Sequence, residues 1–556
     1  MPLDQAKPRT LADIIILLET DASAASTRTR HRISAINRFC DLVHRAPGDV
    51  STDAPSLRGL LDGIHPAQYC ITAKTLSNIK SALADALRTV GSLPKDDPKG
   101  ARSKAWVEFL DHAGAKHQAW SLSRLVTYCS NRRIEPDAVS DDVMGAFQSH
   151  LDARLLTKDP ATLCKEMAQT WNGIVKRNNL PFAALSYEVG GQYRCRPLSI
   201  YPQSLQDEIS RYLDLLAHDD LFDKDGPDKP LRPTSLRNTE AHLRQYLDGM
   251  VLAGEEPAKL THLKKVVTTE KMKLAFKAII ERRGNNEIPV GLHNIAATIT
   301  GLARHYLKVD PAELDGIRNI KKKVFSDPSG MSDKNSERLA QFNDWGNVAR
   351  LISLPCQLMA RALDNPASNR SALLAMHAAA FSILLSCPMR AKNLASLDLE
   401  RHILTHRKGT HTIYTLRIAG REVKNKEPIE VQLNPGNSRL LHTYITTFRP
   451  QISSVLGSAL FPKTGDGTPR APSNLSSDLK YLIYRETGLV VNVHLFRHIA
   501  AKLYLNAHPG DYETVRRLLK HKKLQTTIDF YAELSNQWAH DRYDVAVLSK
   551  WGGGND

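Results

Sequence analysis

The spacing of apolar residues changes once along this chain, and that change most limits what the chain can fold into. Over the first 320 residues, apolar side chains recur with a helical period, and Pro and Gly gather at residues 91–100, 179–202 and 221–233. After a charged, Pro/Gly/Ser-containing stretch at residues 321–336, a long apolar segment at 371–387 predicts a buried helix. The sequence therefore predicts helical domains followed by a C-terminal domain of different pattern.

Alternation of apolar and polar residues predicts two short strands in that last domain. The alternating apolar positions fall in two runs: Tyr414, Leu416 and Ile418, then Ile429, Val431 and Leu433. The polar segment Gly420 to Glu427 joins them as a turn. The predicted class is mainly α with a small antiparallel sheet, that is α+β, in the C-terminal domain.

The length of 556 residues exceeds what one hydrophobic core usually serves, so several domains are expected. Pro/Gly clusters and charge divide the chain into helical modules at 1–100 and 101–200, a helical domain at 203–320, a linker at 321–340 and a final domain at 341–550. Residues 30–50, 121–139 and 236–257 share a rhythm of amphipathic helix and short turn. Three related modules and a coincidence among amphipathic helices both remain open.

Charge favours an anionic partner. The 75 Lys and Arg residues exceed the 59 Asp and Glu residues, which gives a formal net charge of +16. Nucleic acid and an anionic membrane surface are both compatible with this charge. No apolar run approaches the roughly 18 residues of a membrane span, so a soluble, intracellular protein without membrane association is expected.

The cysteines point to neither disulfides nor metal. The chain has seven cysteines, scattered and without a C-x-x-C pair. We expect reduced thiols, no metal site and no cofactor.

Three short motifs near the C-terminus carry phosphate-binding and nucleophilic groups. The first is His494-Leu-Phe-Arg497-His498, in which His494 and Arg497 are three residues apart in a helical segment and project from one face. Such a pair can bind one phosphate, although a solvated helix face has the same pattern.

The second and third motifs end in His521 and Tyr531. Asp511 is a suitable N-cap for a helix that ends near Lys520, which places His521 at a helix C-terminus, where the dipole favours an imidazolium. Thr526-x-x-Asp529 has the form of a capping box and predicts the start of a short helix that carries Tyr531.

Taken together, these motifs resemble the signature of the tyrosine recombinase family, the integrase-like enzymes that exchange DNA strands. The matching segments are His494 to His498, Leu519-Lys-His521 and Thr526 to Tyr531. The family's upstream arginine corresponds to Arg390 in Pro388-Met-Arg390-Ala-Lys-Asn393-Leu-Ala-Ser-Leu397. The resemblance covers residues 340–540, and more loosely 203–308, which is similar to the family's helical core-binding domain.

The family's lysine lies in the turn between two strands and corresponds here to Lys424, with Lys426 as the alternative register. The chain departs from the family pattern in residue type at three positions, since Pro388 and Asn393 stand where Gly and Glu are common and Lys520 stands where Gly is common. It also departs in spacing, because the ten positions from His521 to Tyr531 are one more than in many members. Asn393 puts in doubt the carboxylate that orients the arginine.

The resemblance implies the reaction and the site. Tyr531 would attack a DNA phosphate and form a 3′-phosphotyrosyl bond, and a freed 5′-hydroxyl would later reverse the step without metal or ATP. Arg390 and Arg497 would bind the phosphate, Lys424 would protonate the leaving oxygen, and His494 and His521 would stabilise charge or move protons.

The resemblance also implies the setting and leaves alternatives. The partner would be double-stranded DNA, clamped between the core-binding domain and the catalytic domain. A homotetramer, alone or with partner recombinases, would act on paired sites during integration, excision or transposition of a mobile element. The location would be cytoplasmic and nucleoid-associated. A type IB topoisomerase, a telomere-resolving enzyme and a DNA-binding accessory protein with a decayed active site are the alternatives.

Overall fold

The computed structural model confirms the predicted fold class, because helices dominate and the single sheet among the described residues is small and antiparallel. The described residues are 8–20, 26–69, 71–95, 97–98, 100–186, 195–218, 229–282, 288–325, 330–409, 411–453, 455, 457–532, 540 and 542–548. They fall into two compact units, one containing residues 1–189 and 330–556 and the other residues 190–329. The predicted domain boundaries stay predictions.

The first helical layer, here called module 1, spans residues 8–95. Its helices are α1 (Leu11–Thr20), α2 (Thr27–Val43), α3 (Ala54–Asp62) and α4 (Ala73–Thr89), with short 3-10 turns at Pro47–Asp49 and Pro66–Tyr69. Side chains of Ser26, Asp53 and Thr72 cap α2, α3 and α4 by accepting from backbone N–H groups of the first turn. The helices bury a common apolar core that includes Ile36, Phe39 and Leu83.

Module 2 spans residues 97–186 and has its own core. Its helices are α5 (Lys104–Asp111), α6 (Lys116–Ser121), α7 (Ser123–Asn131), α8 (Asp141–Asp152) and α9 (Pro160–Asn178), with a 3-10 turn at Pro136–Ala138. Trp106, Phe109 and Trp171 fill this core, and the rings of Phe109 and Trp171 stack with centroids 4.3 Å apart.

Module 3 spans residues 195–325 in the other unit. Its helices are α10 (Gln203–Ala217), α11 (Pro233–Leu252), α12 (Leu263–Val266), α13 (Thr269–Glu281), α14 (Val290–Gly301) and α15 (Pro311–Lys323), with 3-10 turns at Leu198–Ile200 and Pro257–Lys259 and a π-turn at Leu302–Tyr306. Its core is built around Tyr246, whose hydroxyl donates to Val266 O at 2.6 Å.

The same backbone turn ends α2, α7 and α11. The residues His44, Arg133 and Gly254 take positive φ angles of 53°, 56° and 97°, and each is followed three residues later by the proline that opens a 3-10 turn. The next amide in each copy closes the helix by donating five residues back: Arg45 to Cys40 O, Ile134 to Cys129 O and Glu255 to Met250 O. The sequence rhythm shared by the three modules therefore corresponds to one repeated helix-ending motif.

The C-terminal domain spans residues 330–548. Its elements are α16 (Asp333–Ala340), α17 (Trp345–Leu363), α18 (Asn369–Ser386), α19 (Ala391–Ala395), β1 (Ile403–Lys408), β2 (His411–Ile418), β3 (Ile429–Gln432), α20 (Pro435–Thr443), α21 (Arg449–Ile452), α22 (Pro472–Thr487), α23 (Leu495–Ala507), α24 (Tyr512–Leu519) and α25 (Leu524–Tyr531). Short turns of other helical type occur at Gln341–Asn343, Gly420–Glu422, Tyr444–Phe448 and Asp544–Leu548.

The sheet has one strand more than the sequence predicted. The strand order is β1-β2-β3, with Ile403 opposite Leu416 and Ile418 opposite Ile429. The additional strand, β1, has few apolar residues after Leu404, so its sequence gives little alternation. Strand β1 is recognised by its backbone hydrogen bonds with β2, and not by a buried apolar face.

Helix α18 is the central helix of the C-terminal domain. Its buried residues occur on all sides of the helix, as is typical of a helix surrounded by other elements. Cys387 and Pro388 follow it, and a proline at this point prevents the helix from continuing. Arg390 then occupies the N-cap position of α19, and its side chain makes no capping hydrogen bond there.

Module 1 contacts the C-terminal domain within their shared unit. Gln68 Nε2 donates to Gly488 O at 3.3 Å, Arg350 donates to Ala67 O at 3.0 Å, and the ring of His65 lies edge-on to Tyr484. Among the described residues, no helix is both long and apolar enough to cross a bilayer. The sequence also predicts a disordered tail at 552–556 and a helix after Tyr531 that contains Trp538 and packs on its own domain or on a neighbouring protomer; the tail and Trp538 lie outside the described residues.

Candidate active site

Two arginines from distant segments meet at one small pocket. Arg390 comes from the exit of α18 and Arg497 from the first turn of α23, and both line a cavity of about 120 Å³ together with Asn425 and Lys520. The described lining of this cavity contains no Asp or Glu. Two guanidinium groups without a carboxylate partner form a site suited to an anion.

Backbone carbonyls hold Arg497 in place. Its guanidinium donates to Pro388 O at 2.9 Å and to Leu519 O at 2.5 Å, and its side chain is buried. Burial, aided by the nearby charge of Arg390, lowers the pKa of Arg497 to about 10. The group is therefore still cationic at neutral pH, and its cost of burial falls when an anion binds beside it.

His494 and His521 lie close enough to the arginines to feel their charge. His494 is the residue that precedes α23, and burial together with Arg497 and Arg390 lowers its pKa. His521 follows the left-handed residue Lys520 at the end of α24, and its Nδ1 hydrogen-bonds with the Thr527 hydroxyl at 3.0 Å. The four predicted residues Arg390, His494, Arg497 and His521 thus form one cluster, in which the two arginines supply the positive charge.

The expectation that the α24 dipole makes His521 an imidazolium is wrong. Asp511 does cap the start of α24 by accepting from Thr514 N at 3.1 Å. The helix ends at Leu519, next to the predicted end at Lys520. Burial, Arg497 and Arg390 nevertheless lower the pKa of His521 to about 4. Desolvation and two full positive charges outweigh the partial charge of a short helix end.

The hydroxyl of Tyr531 lies inside the domain. The side chain is 2% exposed and its hydroxyl hydrogen-bonds with His498 Nδ1 at 3.0 Å. Burial raises the pKa of Tyr531, while the charge of Arg497 acts in the opposite direction. The neighbouring His498 is also buried, and its pKa is lowered to about 4, so it is neutral and able to accept a proton from the tyrosine.

The predicted capping box is also wrong. Helix α25 begins at Leu524 with Lys523 as its N-cap, so Thr526 and Asp529 lie inside the helix. Thr527 instead is fully buried and faces His521. The helix still carries Tyr531, as predicted, as its last residue.

Lys424 and Lys426 lie in the turn between β2 and β3, and both side chains are exposed. Asn425, between them, donates to Lys520 O and lines the pocket of the two arginines. The turn is therefore next to the cluster. No contact between either lysine and the other five predicted residues is found in the described part of the chain, so the choice of Lys424 stays a prediction.

Sequence reasoning missed two residues at this site. His498, the partner of the Tyr531 hydroxyl, is the last residue of the His494 to His498 motif, so its position was available as a signal. Asn425 gave no signal in the sequence, because its role depends on how the β2–β3 turn packs on the end of α24.

The chain is similar to one protein family in sequence and to several solved structures. Residues 356–537 match the model of the phage integrase family. Similar solved structures include the XerH site-specific recombinase bound to difH substrate, a pre-cleavage complex (13% identity, 59% of this chain and 93% of that chain, TM-score 0.29), and a lambda integrase tetramer bound to a Holliday junction (13% identity, 64% and 83%, TM-score 0.34). A comparison with curated proteins gave no match.

The segment that matches the family model spans every predicted site residue, from Arg390 to Tyr531. The motifs and the family model indicate the same enzymes. Residues 356–537 therefore form a domain of the phage integrase family, the tyrosine recombinases.

Proposed function

We propose that this protein is a site-specific DNA recombinase that cleaves and rejoins strands through a covalent bond between Tyr531 and a DNA 3′-phosphate. Membership of the family supports a DNA strand transferase of the recombinase type. The observation that carries the proposal further is that Arg390 and Arg497 line one pocket with no carboxylate in its described lining, while His494 and His521 lie near enough for the two arginines to lower their pKa values.

The phosphate supplies the missing anion. Each guanidinium can present two parallel N–H donors to non-bridging phosphate oxygens. These hydrogen bonds strengthen as negative charge develops on the oxygens in the transition state. The lowered pKa values of the cluster have burial and mutual repulsion as their causes, so a bound phosphate raises them.

Tyr531 is the nucleophile. Its oxygen forms a bond to phosphorus as the bond to the 5′-oxygen breaks, and its proton passes to His498 Nδ1, to which the hydroxyl is already hydrogen-bonded. The leaving 5′-oxygen takes a proton from Lys424, which sits on the β2–β3 turn beside the site, and becomes a 5′-hydroxyl. The reverse step, with the 5′-hydroxyl of a partner strand, restores the tyrosine.

The chemical balance of this reaction needs neither metal nor ATP. One phosphoester bond replaces another in each step, so the energy of the broken bond is kept in the phosphotyrosine. Charge stabilisation comes from the protein's own cations. We further propose a homotetramer on two paired duplexes, a cytoplasmic, nucleoid-associated location and a role in the movement of a mobile element.

A suicide substrate tests the mechanism. A duplex with a nick just downstream of the cleavage site loses its 5′-hydroxyl fragment after attack and traps the covalent complex. Because the target sequence is unknown, the substrate is first obtained by mapping covalent junctions on genomic DNA. We expect wild-type protein to form a denaturation-resistant adduct on denaturing gels, and Tyr531→Phe to form none.

The matched control is Tyr481→Phe, because Tyr481 is 64% exposed on α22. This variant should form the adduct at the wild-type level. Absence of any wild-type adduct, or its persistence in Tyr531→Phe, would refute the mechanism. An adduct that turns over by relaxing supercoils as a monomer, without strand exchange, would instead indicate the topoisomerase alternative.

A further inference from the structure

A large open cleft lies between modules 1 and 2. Its volume is about 1110 Å³, and it is bordered by one face of α4 on one side and by α7 and the C-terminal end of α8 on the other. This exceeds the roughly 300–1,000 Å³ of ordinary small-molecule pockets. An extended ligand therefore fits it better than a small metabolite does.

Contacts between the modules hold the two walls of the cleft together. The buried guanidinium of Arg58 in module 1 donates to Leu155 O and Asp152 O, both at 2.9 Å, and also pairs with the Asp152 carboxylate at 3.2 Å. Leu156, next to these acceptors, is part of the module 1 core. The cleft is thus a built feature of the fold.

The lining of the cleft is strongly cationic. Basic side chains contribute from both walls: Lys80, Arg88, Arg102, Arg124 and Arg154. The one acid in the described lining, Asp97, is already bound by Arg154 at 2.9 Å and by His150 at 2.7 Å. Arg102 and Arg124 are exposed and make no hydrogen bond or ion pair with another described residue.

Hydroxyl groups line the cleft together with these cations. They are contributed by Ser77, Ser81, Ser123, Thr127 and Ser130. The Ser130 oxygen is buried and has no hydrogen-bond partner among the described residues. Arginine, lysine and hydroxyl side chains are the groups that bind phosphate oxygens and sugars in protein–DNA complexes.

The described lining offers no exposed aromatic ring on which a base could stack. Phe147, the one Phe, Tyr or Trp in the described lining, is 1% exposed and packs in the module 2 core, so it offers no face for stacking. The cleft therefore suits the backbone of a nucleic acid.

We propose that the cleft between modules 1 and 2 binds the phosphate backbone of DNA, as a second DNA-binding site outside the C-terminal domain. This site requires no chemistry at Tyr531, so it stands or fails separately from the proposed recombinase reaction. It gives residues 1–186 a function, which is to hold additional DNA by contacts that do not depend on base sequence.

The test uses the full chain and the double variant Arg102→Glu/Arg124→Glu. Fluorescence anisotropy with a labelled duplex of random sequence gives the affinity at several salt concentrations. Loss of two phosphate contacts should weaken binding and reduce the slope of log affinity against log salt by about 2. The duplex should also slow amide exchange in residues 77–88 and 123–130 of the wild type, and not in the double variant.

The control variant is Arg38→Glu/Lys165→Glu, which makes the same change in charge on exposed residues of modules 1 and 2 that do not line the cleft. The proposal would be overturned if Arg102→Glu/Arg124→Glu had the same DNA affinity and the same salt slope as this control. Protection of the cleft by pyrophosphate with no effect of the double variant on DNA binding would also overturn it, and would assign the cleft to a small anion. Parallel measurements with single-stranded and with duplex DNA show from which of the two the cleft takes its phosphate backbone.

Discussion

At the scale of residues, burial decides the chemistry of this site. His498 and His521 both have pKa values lowered to about 4, although one faces a tyrosine hydroxyl and the other a helix end. Each is surrounded by other cationic or cation-forming groups, so the neutral ring is favoured until an anion arrives. In the proposed reaction, the free protein would therefore hold His498, the proton acceptor, in a weakly basic state, and a bound phosphate would make it a stronger base.

A pH dependence of stability follows from the lowered pKa of His498. Between pH 6.5 and about 4, the unfolded chain binds a proton at this residue that the folded chain does not. The stability from the neutral ring is fully present above pH 6.5 and is lost as pH falls through this window, by roughly 1.4 kcal/mol per pH unit at most. Calorimetric unfolding of the full chain across this range measures the slope.

In His498→Gln the side chain can still hydrogen-bond but cannot titrate, so the loss of stability with falling pH should be shallower than in the wild type. His117→Gln, at an exposed position on α6, serves as the control and should keep the wild-type slope. Equal slopes in all three proteins would show that His498 is not held neutral by the fold.

At the scale of elements, a shared helix ending relates the three modules. The left-handed position is occupied by His44, Arg133 and Gly254, and the same amide closes each helix. Only glycine adopts this conformation without steric cost, so module 3 has the least strained copy. The same physics explains why glycine is common in the family where this chain has Lys520, because Lys520 also has a positive φ of 54°.

Replacement of Gly254 by Ala tests this argument. No atom lies within 4 Å of the added Cβ, so the cost is conformational alone, and we expect a loss of about 1 kcal/mol in the local stability of α11. Native-state hydrogen exchange of α11 amides gives this value. The control is Gly291→Ala, in the first turn of α14 and equally open, which should leave helix stability unchanged or raise it. If Gly254→Ala also left the stability of α11 unchanged, a side chain would not strain this turn.

At the scale of the whole molecule, cationic surface is organised by contacts between modules. The net charge of +16 indicates an anionic partner but does not place it. Two cationic sites are built by the fold, one around Arg390 and Arg497 and the other between modules 1 and 2. Each collects side chains from segments that are far apart in sequence.

Removal of the contact between modules should disturb the second site without touching its cations. Arg58→Ala leaves two carbonyls and the Asp152 carboxylate without their donor; because all three acceptors are half-buried and water can reach them, the cost should be about 1 kcal/mol for each hydrogen bond lost. We expect faster hydrogen exchange at the end of α8 and weaker binding of random duplex DNA.

The control for this change is Arg28→Ala. Arg28 pairs with Asp85 within module 1 and its side chain is 72% exposed, so solvent screens the pair and its loss should change neither hydrogen exchange nor DNA affinity. Unchanged exchange and unchanged DNA affinity in Arg58→Ala would contradict the role assigned to this contact.

The sequence by itself determined the residue types of the site, the helical character of the modules, the helix that ends at Leu519 and the family. These depend on local spacing, caps and motif order, which are properties of neighbouring residues. Only the tertiary structure decided the neutral state of His521, the pairing of Tyr531 with His498, the place of Asn425, the strand β1 and the cleft between modules 1 and 2. Burial, strand pairing and contacts between distant segments produce these features, and their strength depends on distances that a linear pattern does not contain.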